Sequence, residues 1–313
     1  MTKVVICNRE PIEYKALVDA CDLPNIELYA PSDEQELIEH IADAEVIFAN
    51  PIMLSRYINY AKNVKWVQSS FAGIDALNDD SLKKDYILTN MKDAYGEIIA
   101  EYLLGYVLML QKNILGNIEN QKTKTWWQRS YPSIVWKKVG IMWIGSIGSV
   151  VARYCKSFWM QVYWYASSER EHEYLDRVFT DENQDDFLSD LDYLINILPN
   201  TPYTQGIINT DLLSKLPSKA VFMNVGRWAN VREDDLIKAI KEKQIAWAVL
   251  DVFQTEPLPK ESELWDLDNV YITPHVSGYV EDNSKIISTF SDNYKRYISG
   301  QQLQNTIDFN KGY

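Results

Sequence analysis

A chain of 313 residues is long enough for two domains of ordinary size with substantial cores. Its formal charge of −13 argues against a nucleic-acid surface, because phosphate contacts need clustered lysine and arginine, and no apolar run is long enough to span a bilayer. Cys7, Cys21 and Cys155 are odd in number and lack metal-ligand spacing, and Met1 to Cys7 runs straight into a strand without a secretory pattern; both fit a reduced cytoplasmic setting. Cys155, with no histidine near it in sequence, reads as a helix core residue and not as a nucleophile.

In chain order, apolar runs at residues 4–7, 46–49, 65–68 and 87–89 predict strands. Residues 33–41 predict a helix, with Ser32 as N-cap and Glu34 and Glu36 in the first turn. Strands separated by helices imply an α/β fold with a parallel sheet. One long apolar helix is expected over residues 96–114, then a loop around 123–132. A second α/β unit starts at Lys137, with strand 139–144, turn 145–148, helix 149–157 and strand 161–165. Further strands are expected at 193–198, 220–225, 248–252 and 270–272, and a last helix, 281–298, stops at Gly300.

Two stretches carry chemistry. Gly145-Ser146-Ile147-Gly148, between a strand and a helix, is most of a dinucleotide-binding turn, where unpaired N–H groups at the helix start meet a pyrophosphate. At the end of the next strand, Ser167, Ser168 and Arg170 suit the 2′-phosphate of NADP, whereas Glu169 suits the ribose hydroxyl of NAD; both cofactors stay open, with NADP ahead. Later come Arg227 in Asn-Val-Gly-Arg, Glu256 before a proline, and His275 in Thr-Pro-His-Val-Ser-Gly. Arginine grips a carboxylate in a fork, histidine titrates near neutrality, and a neighbouring carboxylate favours its charged form. Taken singly, such residues are usually solvated; the ordered series, in a chain with three histidines, argues for proton-transfer machinery acting on a 2-oxo acid. His40 and His172 lie in charged segments and receive no role, and Trp66 and Trp265 read as packing residues. Asp251, at a strand end, has two readings: a functional acid or a simple cap.

Over nearly its whole length the chain resembles the D-isomer-specific 2-hydroxyacid dehydrogenases, and is similar to glyoxylate and hydroxypyruvate reductases. The resemblance implies two Rossmann-like or flavodoxin-like domains with parallel sheets, joined by crossing helices around a cleft. The first would be a discontinuous substrate-binding domain of residues 1–93 plus 281–313, the second a dinucleotide-binding domain of residues 94–280. Residues 69–75 resemble the family's substrate loop, so Ala72, Gly73 and Ile74 would hold the substrate carboxylate through backbone N–H groups. Arg227 would bind substrate, Glu256 and His275 would be the acid–base pair facing it across the interdomain gap, and Asp251 would lie near the nicotinamide amide. NAD or NADP is the implied cofactor, a homodimer the implied assembly, with the loop around 123–132 contributing.

Six tryptophans stand where that family has glycine: Trp136, Trp143, Trp159, Trp164, Trp228 and Trp247. Trp143 takes the place of the first glycine of the Gly-x-Gly-x-x-Gly turn. A non-glycine residue held left-handed costs about 1–2 kcal/mol, and overpacking costs about 1–3 kcal/mol per site. Two expectations follow. Either UGA codons, one base from the glycine codon GGA, stand behind these tryptophans in a source that reads UGA as glycine, or the chain is a dehydrogenase-like scaffold that binds a partner or nucleotide without turnover.

Overall fold

A computed structural model of the chain describes residues 1–166, 172–279 and 281–309, apart from the side chain of residue 181. In chain order the elements are β1 (Thr2–Cys7), α1 (Pro11–Asp19), β2 (Ile26–Tyr29), α2 (Glu34–Ile41), β3 (Val46–Ala49), α3 (Pro51–Leu54), β4 (Trp66–Ser69) and β5 (Ile87–Thr89). Next come α4 (Gly96–Gln111), α5 (Ile114–Lys122), β6 (Lys138–Met142), α6 (Ser146–Ser157), β7 (Gln161–Tyr165), β8 (Arg177–Phe179), α7 (Gln184–Leu188) and β9 (Tyr193–Asn196). The chain closes with α8 (Thr210–Ser214), β10 (Val221–Asn224), α9 (Glu233–Lys241), β11 (Trp247–Leu250), β12 (Val270–Ile272) and α10 (Ser284–Ile298). Two compact units result, Met1–Ala94 with Val280–Tyr313, and Tyr95–Tyr279.

The first unit is a five-stranded parallel sheet in the order β2-β1-β3-β4-β5, the flavodoxin-like arrangement whose strand order switches between β1 and β3. Every residue of β3 and β4 is buried, which explains the unbroken apolar run of β3. Helix α10 returns to this sheet: Phe290 stacks on Phe48 and Trp66, and Asn293 donates to Gln68 Oε1 at 3.0 Å. Trp66 also donates its indole N–H to Thr89 Oγ1 at 2.8 Å, which confirms it as a packing residue.

The second unit is a seven-stranded parallel sheet in the order β12-β11-β10-β9-β6-β7-β8. Counted within the unit this is the doubly wound nucleotide-binding order extended by one strand, with the switch point between β6 and β9. Gly96 in α4 lets that helix press on α6, since a Cβ there would sit 2.7 Å from Val150 Cγ2.

Three expectations need correction. The N-cap of α2 is Asp33, whose side chain accepts from Glu36 N, while Ser32 donates its N–H and hydroxyl to Glu36. The apolar stretch over 96–114 is not one helix: Asn113 turns left-handed at φ +47°, and α5 leaves at 56° to α4. Helix α6 starts at Ser146, so the expected turn over 145–148 is already the helix's first turn. No single helix among the described residues is long and apolar enough to cross a membrane.

Candidate active site

Parallel strands present all their carboxyl ends on one edge of the sheet, and the site residues of the second unit lie just past those ends. Strands β10, β11 and β12 are in register at Asn224, Leu250 and Ile272. Arg227 follows β10, Asp251 follows β11 directly, and His275 follows β12. The expected arrangement across a gap is therefore corrected: Arg227, Glu256 and His275 all belong to the unit Tyr95–Tyr279, on neighbouring strand ends.

His275 Nδ1 lies 2.8 Å from Glu256 Oε2, and Glu256 Oε1 accepts from Phe253 N at 2.9 Å. The carboxylate is thus held at both oxygens and fixes one imidazole nitrogen, which leaves Nε2 to meet a reacting atom. The imidazole is about half exposed, at 52%. His275 itself is left-handed at φ +55°, a conformation that sets the direction of its side chain off the strand axis.

Asp251, expected either beside the nicotinamide amide or as a cap at a strand end, holds the loop that follows β12. It is fully buried, and both oxygens are engaged: Oδ1 accepts from Thr273 Oγ1 at 2.6 Å and from Val276 N at 2.8 Å, Oδ2 from Ser277 N at 2.9 Å. Because the Thr273 hydroxyl donates to Asp251, the contact of 2.7 Å between Tyr102 and Thr273 has Tyr102 as donor. Burial pushes the Tyr102 phenol well above its usual range, so it stays a donor. The chain Tyr102, Thr273, Asp251 clamps the loop on both sides of His275. Tyr102 and Thr273 were not singled out in the sequence; a tyrosine within the apolar run of α4 was the only hint.

Arg227 is half-buried and donates Nη1 to the Gly226 carbonyl at 2.8 Å. Glycine before it suits a close backbone approach, since a Cβ at Gly226 would lie 3.1 Å from backbone atoms of Ile197 and Leu198. In the first unit, Asn90 Nδ2 holds the Ala72 carbonyl at 2.7 Å, and Ser69 Oγ accepts from Phe71 N at 2.9 Å. Among the described residues the N–H groups of Ala72, Gly73 and Ile74 have no protein acceptor, so three consecutive donors remain available to a carboxylate.

The turn after β6 has the backbone that a dinucleotide needs. Gly145 is the N-cap of α6, and Ser146, Ile147 and Gly148 form its first turn, whose N–H groups are free of helical partners. Gly148 permits close helix–strand packing, because a Cβ there would meet the Trp143 carbonyl oxygen at 2.5 Å. The side chain of Trp143 does not fit. Its residue is left-handed at φ +81°, and its indole leans over the turn so that a Cβ on Gly145 would stand 2.9 Å from Nε1. That volume is where the backbone must be bare for a pyrophosphate to approach. Ser167, Ser168 and Arg170, expected at the ribose end, lie outside the described residues. Cys155 is buried in α6 and its thiol is pushed up to about 12 by burial, in keeping with a core residue.

The family's sequence model, D-isomer specific 2-hydroxyacid dehydrogenase, NAD binding domain, matches residues 104–277. The chain belongs to this family. A solved family member from Aeromonas salmonicida subsp. salmonicida A449 is 31% identical, with a TM-score of 0.93 and coverage of 98% of this chain and 99% of that one. The NADPH-dependent glyoxylate/hydroxypyruvate reductase of Sinorhizobium meliloti, solved with NADP and sulfate, is 26% identical, with a TM-score of 0.88 over all of both chains. An uncharacterized protein of Corynebacterium melassecola is 31% identical over 89% of this chain and 93% of its own length. The protein is thus an NAD(P)-dependent 2-hydroxyacid dehydrogenase by family, with NAD or NADP as its cofactor.

Proposed function

We propose that this dehydrogenase interconverts small 2-oxo acids and D-2-hydroxy acids, with glyoxylate and hydroxypyruvate as the first substrates to try. The observation that carries the reading is the His275–Glu256 pair at 2.8 Å, on a loop clamped by buried Asp251. When bound, the reduced nicotinamide supplies a hydride to C2 of the oxo acid. His275 gives its Nε2 proton to the carbonyl oxygen, so the product is a neutral hydroxyl and not an alkoxide. Glu256 holds the ring through Nδ1 and balances the imidazolium charge. Arg227 pairs with the carboxylate and carbonyl oxygens, turning a collision into a positioned reaction. In the oxidative direction neutral His275 takes the hydroxyl proton.

NADP is placed ahead of NAD, as the Sinorhizobium meliloti relative is NADPH-dependent. A cytoplasmic homodimer is part of the same reading: Trp126, at 95% exposure, and Trp127, at 59%, project from the loop proposed to meet a second copy. The deciding experiment is a panel of glyoxylate, hydroxypyruvate, pyruvate and bulkier 2-oxo acids with NADH and NADPH, run on protein with glycine at 143, beside His275→Gln. Oxidation of the cofactor that needs both the oxo acid and His275 is expected. A folded protein that binds cofactor yet reduces none of the panel would end the reading in favour of a non-catalytic scaffold. Light scattering after size exclusion tests the dimer.

A further inference from the structure

We infer that positions 136, 143 and 159 hold glycine in the protein as its own cell makes it, each encoded by a UGA codon that the cell reads as glycine. Trp136, Trp143 and Trp159 have φ of +65°, +81° and +55°. Of the other non-glycine residues with positive φ, Asp22, Asn25, Asp93, Asn113 and Asn305 are the short polar types that tolerate it, His275 belongs to the site, and Lys124 and Lys243 carry unbranched, flexible side chains. A bulky indole is the opposite type, and tryptophan makes up only 10 of the 313 residues.

The surrounding backbone specifies these conformations independently of the side chains. Trp159 N donates to the Lys156 carbonyl at 2.9 Å and Met160 N to the Cys155 carbonyl at 3.1 Å, a complete Schellman motif with position 159 at the residue where glycine is preferred. Trp136 N donates to the Trp159 carbonyl at 2.9 Å, so the two turns lock each other. At 143 the chain turns left-handed, and its carbonyl oxygen lies 2.5 Å from where a Cβ on Gly148 would sit. Trp164 adds a different sign: its buried indole N–H has no acceptor among the described residues.

Other tryptophans behave as indoles should. Trp66 donates to Thr89 and stacks on Tyr297, and Trp265 donates to the Pro259 carbonyl at 3.0 Å. Ordinary substitution at glycine positions would scatter over many residue types. Repeated tryptophan at left-handed positions is what a single codon change, GGA to UGA, produces when UGA is translated as tryptophan. Glycine itself is scarce, at 12 of 313, against an average share of about 7%.

For 136 and 159 the argument stands on backbone alone; only for 143 does it rest on the dehydrogenase reading. Peptide mass spectrometry of protein purified from its own source decides the matter. Glycine is expected at 136, 143 and 159, with tryptophan at 66 and 265 as internal controls; tryptophan at 136, 143 and 159 overturns the inference. In parallel, the chain as written and Trp143→Gly are titrated with NADPH by fluorescence and compared in thermal unfolding. The chain as written is expected to bind at least about tenfold more weakly at equal foldedness. Equal affinity overturns the steric argument at 143. Glycine at these positions in a protein that reduces no 2-oxo acid would sink the proposed function and leave the inference standing.

Discussion

Just past β10, β11 and β12, the acid–base corner is wired throughout: both oxygens of Glu256 and both oxygens of Asp251 are engaged, and Thr273 and Tyr102 extend the network into α4. Just past β6, on the same sheet edge, the backbone follows the nucleotide turn through Gly145 and Gly148, yet Trp143 leans over it. A chain released from selection for turnover would be expected to lose buried charge networks and cofactor turns alike, since an unsupported buried carboxylate is costly. Here one region is intact, and the other departs at one residue of one type. The difference points to the identity of that residue and not to decay of the site.

The largest effect expected is at His275. In protein with glycine at 143, His275→Gln should lower kcat by about 10²–10⁴-fold, the range for a positioned general acid. NADPH affinity by fluorescence should stay unchanged. Retained turnover would make the wired corner merely structural and dissolve the contrast. Asp251→Ala comes next: it leaves the N–H groups of Val276 and Ser277 and the Thr273 hydroxyl without their acceptor, at about 1–3 kcal/mol for each buried group left unsatisfied. Calorimetry should show a clear fall in Tm together with loss of kcat. An unchanged Tm would mean that the loop does not depend on the clamp. Glu256→Gln is milder, because its single carbonyl oxygen can still accept from Nδ1 while the Phe253 N–H loses its acceptor; a kcat loss on the order of tenfold, equivalent to about 1.4 kcal/mol, is expected with only a small fall in Tm.

Much of this site was legible as residue type and order. The strands at Val46–Ala49, Ile87–Thr89, Gln161–Tyr165 and Val270–Ile272 coincide with their expected bounds; β3 is buried on both faces, and β7 is rich in β-branched and aromatic residues. Strands β2 and β8 were missed: Ile26–Tyr29 and Arg177–Phe179 are short, sit at or near sheet edges and carry Glu27 and Arg177, so their apolar signal is faint. The break after α4 was hidden because Ile114 and Leu115 continue the apolar composition while only the backbone of Asn113 turns. Glu256 and His275 are paired in the sequence reading, whereas the hold of Asp251 on the loop was not legible, since nothing local connects it to amides 25 and 26 residues away.

The smallest effect tests the comparison at its root, through three helix ends that share one backbone motif. Helix α10 ends with Gly300 at φ +67°, α9 with Lys243 at φ +56°, and α6 with Trp159 at φ +55°, each closed by the same pair of hydrogen bonds from the left-handed residue and the one after it. If the cost lies in backbone conformation, Trp159→Gly and Lys243→Gly should each stabilise by about 1 kcal/mol, and Gly300→Ala should destabilise by a similar amount. Trp159 is 67% exposed, so little burial is forfeited by its removal. Urea unfolding of the three variants reads the differences directly. Equal gains at 159 and 243 would assign the penalty to the left-handed turn that all three ends share. A gain confined to 159 would assign it to the indole itself, and a loss there would show that the ring contributes packing that glycine could not replace.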